Sequence, residues 1–179
     1  MSYEQDLISR LDACPTGKTG WREFENLCIE ILTHLFVPPL KTPRIQVRTV
    51  SGVQRRDAIF SNRKNADALN NWGRLYRELA AKIILFEFKN YSRQKVGRDE
   101  VIQVHSYMRK EMGRLAVIVS SKEASKSAYQ ERVIIFNREA REVILFITKD
   151  NLKEMLNIKE RGEDPSDFIF DLVDEVYTE

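Results

Sequence analysis

The sequence predicts an α/β fold in which a mixed central β-sheet is flanked by helices. Three observations lead to this class. Strands and helices alternate in the second half of the chain, one central strand is apolar on both faces, and 179 residues are enough to bury one core. Alternating strands and helices require crossover connections onto the sheet, whereas a predicted hairpin adds antiparallel pairing.

The individual elements follow from hydrophobic periodicity and its interruptions. A short helix at 3–13 ends before Pro15, and a longer helix from about 19 to 36 is stopped by two prolines. Two β-rich runs around Ser51-Gly52 predict a hairpin. The later elements are a helix at 67–80, a strand at 82–89, a helix at 96–112, a strand at 114–121, a helix at 124–137, a strand at 142–148 and helices near 150–158 and 165–177.

We expect these elements to form a single domain, 1–179. It comprises an N-terminal helical segment at 1–16, a core at 17–150, and C-terminal helices with an acidic tail at 151–179. The tail after Gly162 carries seven of the 27 acidic residues and none of the 29 basic ones, so the rest of the chain is basic. A basic body favours a polyanionic partner such as nucleic acid, although many soluble domains carry such a surplus without one.

The sequence predicts a cytoplasmic protein without a membrane partner. No apolar run approaches the ~20 residues that a membrane-spanning helix needs, and the N-terminus MSYEQDLISR lacks the apolar stretch of a signal peptide. Two cysteines are too few for a disulfide scaffold or a zinc site, which fits a reducing compartment.

The strand KIILFEFKN carries two opposite charges at its far end. Because side chains alternate across a strand, Glu87 and Lys89 share one face with Leu85, whereas Phe86 and Phe88 share the other. Both faces are apolar until Glu87, which is typical of a central strand covered by helices on both sides. A strand-end ion pair that reaches solvent explains the two charges equally well, so other acids must decide.

Two further acids are predicted to face inward. Around the helix that follows Trp21, Glu25 falls inside the apolar arc, whereas Glu23 and Glu30 fall on the polar side. Asp57 begins the apolar end of the second hairpin arm. Each has an ordinary alternative: Glu25 as an acid at the helix edge that reaches water, and Asp57 as a turn residue beside arginines.

In this order the motifs FENLCIEIL, GVQRRDAIF, LFEFKNYS and VGRDEVIQVHSYM, followed by the strand LAVIVSS, resemble the PD-(D/E)XK nuclease superfamily. Within it they are similar to Mrr-like, type IV restriction-enzyme catalytic domains and their relatives in bacterial defence systems. The resemblance spans roughly residues 17–150 and implies a restriction-endonuclease-like fold. One departure is that Arg56, rather than the proline common in the family, precedes Asp57.

The resemblance implies a metal-dependent endonuclease that hydrolyses DNA phosphodiester bonds in bacterial restriction or anti-phage defence. It implies Mg²⁺ as the cofactor, with Mn²⁺ as a substitute, bound by Asp57, Glu87 and the backbone carbonyl of Phe88. Glu25 would act at a second metal or through water in the outer shell. The catalytic set carried over from the family is Glu25, Asp57, Glu87, Lys89 and Gln103.

Within that set Lys89 would orient or deprotonate the attacking water, and Gln103 would face the site one helical turn before Tyr107. Basic residues that flank the hairpin and the active strand are expected to contact phosphates. They are Arg55, Arg56, Arg63, Lys64, Lys95 and Arg98.

We expect DNA as the partner and consider a homodimer, because one such site cuts one strand. Phe168, Leu172 and Val176 form an apolar stripe on the last predicted helix, which packs either against a second subunit or on the chain's own core. A separate targeting or NTPase subunit would be another source of specificity.

Other functions are weaker candidates. The segment TGKTG at 16–20 is similar to a phosphate-binding loop but lacks its first glycine and follows a helix rather than a strand. A nuclease-fold module that binds nucleic acid or a partner protein without cutting is the main alternative to the enzyme. A basic interaction domain with an accidental group of charges is a further one.

Overall fold

The protein, represented by a computed structural model, is described for residues 1–48 and 55–179, and Arg55 by its backbone alone. The predicted hairpin turn at Ser51-Gly52 lies outside these residues. The elements are α1 (Tyr3–Ala13), α2 (Trp21–Phe36), β1 (Arg44–Arg48), β2 (Arg55–Ser61), α3 (Asn71–Leu79), β3 (Ile83–Lys89), α4 (Arg98–Tyr107), β4 (Leu115–Ser120), α5 (Lys126–Phe136), β5 (Val143–Thr148), α6 (Lys149–Glu160) and α7 (Ser166–Thr178), with a short 3₁₀ helix at Arg63–Asn65.

The predicted order of helices and strands is confirmed, but two helix boundaries differ by more than two residues. Helix α3 begins at Asn71 rather than at 67, because the side chain of Asn70 accepts a hydrogen bond from the amide of Gly73 and caps the helix there. Helix α4 ends at Tyr107 rather than at 112. The residues after it return to the start of β3, where the carbonyl of Met112 accepts hydrogen bonds from the amides of Lys82 and Ile83.

The sheet is mixed, with strands in the order β1-β2-β3-β4-β5. The pairs β1–β2 and β2–β3 are antiparallel, whereas β3–β4 and β4–β5 are parallel. The register pairs Lys89 with Ser120 and Ser120 with Thr148, so the three parallel strands end in one row. The loops that follow these strands therefore meet at one edge of the sheet.

Helices cover both faces of the sheet. Phe86 and Phe88 of β3 belong to a core cluster with residues of α1, α2, α3, α6 and α7. Leu85 belongs to a second cluster, which includes Val101 and Val104 of α4 and Ala128 of α5. Strand β3 is therefore a central strand buried on both faces, as its sequence predicts.

Helix α7 packs on the chain's own core. Ile169, Val173 and Val176 are buried in the first core cluster, and Phe168 and Leu172 pack against it while remaining partly exposed. The apolar stripe considered for a second subunit is therefore largely used within the chain, because β5 and α3 need a cover at this edge. Within the described ranges, no helix is long and apolar enough to cross a membrane.

Candidate active site

The charged end of β3 lies on the side of the sheet covered by α4. Glu87 is 4% exposed although it carries a carboxylate. The Nζ of Lys89 lies 3.1 Å from Glu87 Oε1 and donates a hydrogen bond to it. Pairing with β4 continues through Lys89, so both side chains project from a backbone that is fixed by the sheet.

Asp57 lies beside this pair because β2 and β3 part there. The pairing between β2 and β3 ends at Ala58 and Phe86. One step further, Oδ2 of Asp57 accepts a hydrogen bond of 2.9 Å from the backbone amide of Phe88. A side-chain carboxylate thus takes the place of the next strand-to-strand contact, and it comes close to Glu87.

The surroundings of Glu87 disfavour its charge. Burial raises its pKa most, and the negative charge of Asp57 raises it further; Lys89 acts in the opposite direction, and the resulting pKa is about 7. Oε2 of Glu87 is buried and has no hydrogen-bond partner among the described residues. A buried carboxylate oxygen without a partner is costly, so this atom is suited to a ligand.

The donor set here fits a hard divalent cation. Mg²⁺ is commonly held by one or two protein carboxylates while it keeps several waters, and Asp57 and Glu87 provide such a pair. Across residues 1–48 and 55–179, no group of three or more acidic, histidine or cysteine side chains is arranged to hold a metal ion. Glu25 therefore does not complete a three-acid cluster with Asp57 and Glu87.

Glu25 nevertheless faces inward, as predicted from the helical arc. It is 6% exposed, and its Oε1 accepts a hydrogen bond of 3.0 Å from Nε2 of Gln46 in β1. The pairs Ile45–Ala58 and Val47–Arg56 lie on either side of Gln46 and Asp57, and Gln46 has a positive φ of 52°. Sequence patterns missed Gln46, because its contact with Glu25 depends on the pairing of β1.

Gln103 reaches the site from α4. Its Oε1 accepts a hydrogen bond of 3.1 Å from Lys89 Nζ, and its Nε2 donates one of 2.8 Å to the hydroxyl of Tyr107. The ammonium group of Lys89 is therefore held between Glu87 and Gln103. Tyr107 is itself buried in the second core cluster, so it anchors Gln103 from behind.

The basic residues expected to contact phosphates occupy different positions. Arg56 is buried, and its Nε and Nη2 donate hydrogen bonds of 3.1 and 2.7 Å to the carbonyl of Tyr107. The guanidinium of Arg56 thus satisfies the carbonyl at the end of α4, and a contact of Arg56 with phosphate stays a prediction. Arg98 is exposed and pairs with Glu131 at 2.8 Å.

Position along the strands separates the remaining basic residues. Arg63 and Lys64 follow Ser61, which pairs with Ile83 at the start of β3, so they lie at the end of the sheet opposite to Glu87. Lys95 is exposed in the loop after β3, and so lies at the same end of the sheet as Glu87 and Lys89. The side chain of Arg55 lies outside the described part of the structure.

Comparison with known proteins gives a family match over most of the chain. The family model Mrr_cat, described as "Restriction endonuclease", matches residues 17–156. A protein of Escherichia coli (strain K12) named "Putative transposon gamma-delta 80.3 kDa protein" is 29% identical over 100 residues. That alignment covers 56% of this chain but only 14% of the longer protein. No solved structure matches the chain significantly.

Proposed function

The chain belongs to this restriction endonuclease family, and on that premise we propose that it is a divalent-metal-dependent endonuclease that hydrolyses DNA phosphodiester bonds in bacterial restriction or anti-phage defence. One observation carries the proposal: the buried, unpartnered Oε2 of Glu87 lies beside a second acid and a lysine. An ion pair that served stability alone would not be expected to bury a carboxylate oxygen without a partner.

Asp57 and Glu87 would hold the cation, with the carbonyl of Phe88 as the additional ligand that the resemblance implies. When bound, Mg²⁺ or Mn²⁺ supplies charge neutralisation at the scissile phosphate and lowers the pKa of a bound water. The hydrogen bond from the Phe88 amide fixes the orientation of the Asp57 carboxylate before any ligand arrives. Glu25 would act from the outer shell through its contact with Gln46.

Lys89 would act on the phosphate and the attacking water. An ammonium group has three hydrogens, and its contacts with Glu87 and Gln103 use two of them. The third would be available to substrate, where it would donate to a phosphate oxygen or position the water. Gln103 keeps the ammonium group in place and is therefore a positioning residue.

The proposal includes the setting of the enzyme. We assign it to the cytoplasm, with support from two buried free cysteines. DNA is the partner that membership of the family implies, and the basic body is compatible with it. A homodimer or a separate targeting or NTPase subunit would provide the second cut or the specificity.

The test is incubation of the purified chain with plasmid, linear duplex and single-stranded DNA in Mg²⁺, Mn²⁺ or EDTA. We expect nicking or linearisation of plasmid in either metal and none in EDTA. The control is Lys89→Ala purified in parallel, which should be inactive. Equal cleavage by this variant, or undiminished cleavage in EDTA, would contradict the proposal.

A further inference from the structure

A cleft of about 480 Å³ lies beside the active strand, between the segment that leads into α2 and the loop that follows β3. Lys89 contributes to the lining of this cleft, and its Nζ belongs to the candidate active site. Whatever occupies the cleft therefore lies beside the end of β3 that carries the candidate active site.

The walls of the cleft are held together before any ligand binds. The Nδ2 of Asn90 donates a hydrogen bond of 2.9 Å to the carbonyl of Pro15, which ties the two segments. Gly17 has a φ of +82°, and a Cβ there would lie 3.2 Å from Cβ of Ser92. Glycine is needed at this position both for its backbone conformation and for the close approach of the two walls.

An aromatic ring is exposed in this cleft. Trp21, the first residue of α2, is 42% exposed, whereas Trp72 is 2% exposed in the core. The guanidinium of Arg22 lies 5.3 Å from the centre of the Trp21 ring and adds positive charge beside it. A large exposed indole next to cations is suited to a planar ligand attached to an anion.

The charge of the cleft is positive. Lys18 and Arg93 line it and are exposed, and neither has an acidic partner in the described part of the chain. No carboxylate belongs to its described lining. An anionic ligand would therefore meet two cations without first displacing an ion pair.

We propose that this cleft binds an unstacked nucleobase next to the scissile phosphate, with the base on Trp21 and the neighbouring phosphates on Lys18 and Arg93. Aromatic side chains combined with a basic groove bind single-stranded nucleic acid through stacking, which tolerates any base. The substrate class is thus nucleic acid with an unpaired nucleotide at the cut. This inference rests on the proposed function and specifies its substrate.

The proposal also gives the segment TGKTG a role. It is not a phosphate-binding loop of the kind that holds nucleoside triphosphates, because such a loop follows a strand and here a helix precedes the segment. Its glycine at 17 allows the close contact with Ser92, and Lys18 presents a cation to the cleft. The same segment leads directly into Trp21 at the start of α2.

Binding is measured in EDTA, so that cleavage plays no part, with a single-stranded 12-mer of DNA, its RNA counterpart, an abasic 12-mer and a fully paired duplex. The full chain has two tryptophans, and only Trp21 is exposed, so quenching of intrinsic fluorescence in the wild type reports on the cleft. The affinities of the wild type and of all variants are measured by the anisotropy of dye-labelled strands, which does not depend on Trp21. We expect the single strand to quench the fluorescence and to bind about ten-fold more tightly than the abasic strand. The DNA and RNA strands together show whether the 2′-hydroxyl matters.

Trp21→Ala is expected to weaken binding of the single strand about ten-fold and to leave abasic binding unchanged, whereas Trp21→Phe keeps most of the affinity. Leu69→Ala, which removes another exposed apolar side chain, and Lys110→Gln, at an exposed lysine near the start of β3 at the far end of the sheet, are the matched controls. Wild-type affinity in Trp21→Ala, or equal affinity for normal and abasic strands, would overturn the proposal. Neither result depends on cleavage, so failure here leaves the nuclease assignment to its own assay.

Discussion

The two ends of the β2–β3 pair bury polar side chains in opposite ways. At the end near Ser61, Asn62 is fully buried, and its Nδ2 donates hydrogen bonds to the carbonyls of Trp72 and Ala81. Its Oδ1 accepts a hydrogen bond from Asn65. Every amide atom of Asn62 is therefore satisfied by the chain itself, and this end of the sheet needs no ligand.

The other end leaves polar atoms unsatisfied. Oε2 of Glu87 and Oδ1 of Asn90 are buried without partners among the described residues. Glu87 is held in a place where burial and Asp57 raise its pKa to about 7. Buried polar atoms that find hydrogen-bond partners within the chain, as in Asn62, do not indicate a functional site. Buried polar atoms that the chain leaves without partners, as in Glu87, do indicate one.

The sharpest contrast between the two ends is expected in cleavage. Asp57→Ala, Glu87→Ala and Lys89→Ala should each reduce the rate of plasmid cleavage by on the order of 10³-fold, because each removes a group that we propose acts at the reacting phosphate. Circular dichroism should show that the variants remain folded. Full activity in any two folded variants would mean that the site lies elsewhere.

The second effect is on stability in metal-free buffer. An ordinary glutamate has a pKa near 4.5, so the raised pKa of Glu87 means that its ionisation opposes folding as the pH rises from about 4.5 to about 7. Glu87→Gln should therefore stabilise the metal-free protein by about 3 kcal/mol at most at pH 8, and by less than about 1 kcal/mol at pH 5.

Urea unfolding in EDTA at the two pH values measures this difference. The control is Glu139→Gln, an exposed acid at the opposite end of the sheet, which should change little at either pH. A Glu87→Gln variant less stable than the wild type at pH 8 would show that the ion pair with Lys89 serves stability.

The satisfied end should respond in the reverse manner. Asn62→Ala leaves two buried carbonyls without their donor and should cost about 2 kcal/mol of unfolding free energy. Cleavage per folded molecule should stay at the wild-type rate, because Asn62 is remote from Glu87 along the strands. If Asn62→Ala lost cleavage activity per folded molecule but kept its unfolding free energy, the proposed difference between the two ends of the β2–β3 pair would be wrong.

The smallest of these effects is expected at Glu25. Glu25→Gln keeps the shape of the side chain and a contact with Gln46, so stability should change little. If the charge acts on the site through the outer shell, cleavage should fall about ten-fold across a Mg²⁺ titration. Unchanged cleavage would show that Glu25 serves only to hold β1.

Local patterns were sufficient for the element order and for the charged end of β3, because alternation along one strand decides which side chains share a face. Helical spacing left both Gln103 and Tyr107 able to face the site, and the family resemblance selected Gln103, which contacts Lys89. The burial of Arg56 and the position of Lys64 were not predictable in this way. Both depend on strand register and on where α4 ends, which are set by contacts distant in sequence.

The cleft shows the same limit. Trp21 reads in the sequence as part of an amphipathic helix, and Arg93 as a loop residue. They form one surface only because the segment before α2 and the loop after β3 touch at Gly17 and Ser92. Hydrophobic periodicity along the chain cannot predict a contact between two loops that are distant in sequence.

The central claim, that Asp57 and Glu87 hold a divalent cation, is tested most directly by titrating Mn²⁺ into the wild type and Glu87→Gln and counting free Mn²⁺ by electron paramagnetic resonance. The account predicts at least one Mn²⁺ bound to the wild type at pH 7.5 and a loss of at least ten-fold in affinity in Glu87→Gln, with Glu139→Gln unchanged. Equal Mn²⁺ binding by the wild type and Glu87→Gln, or none by either, would contradict it.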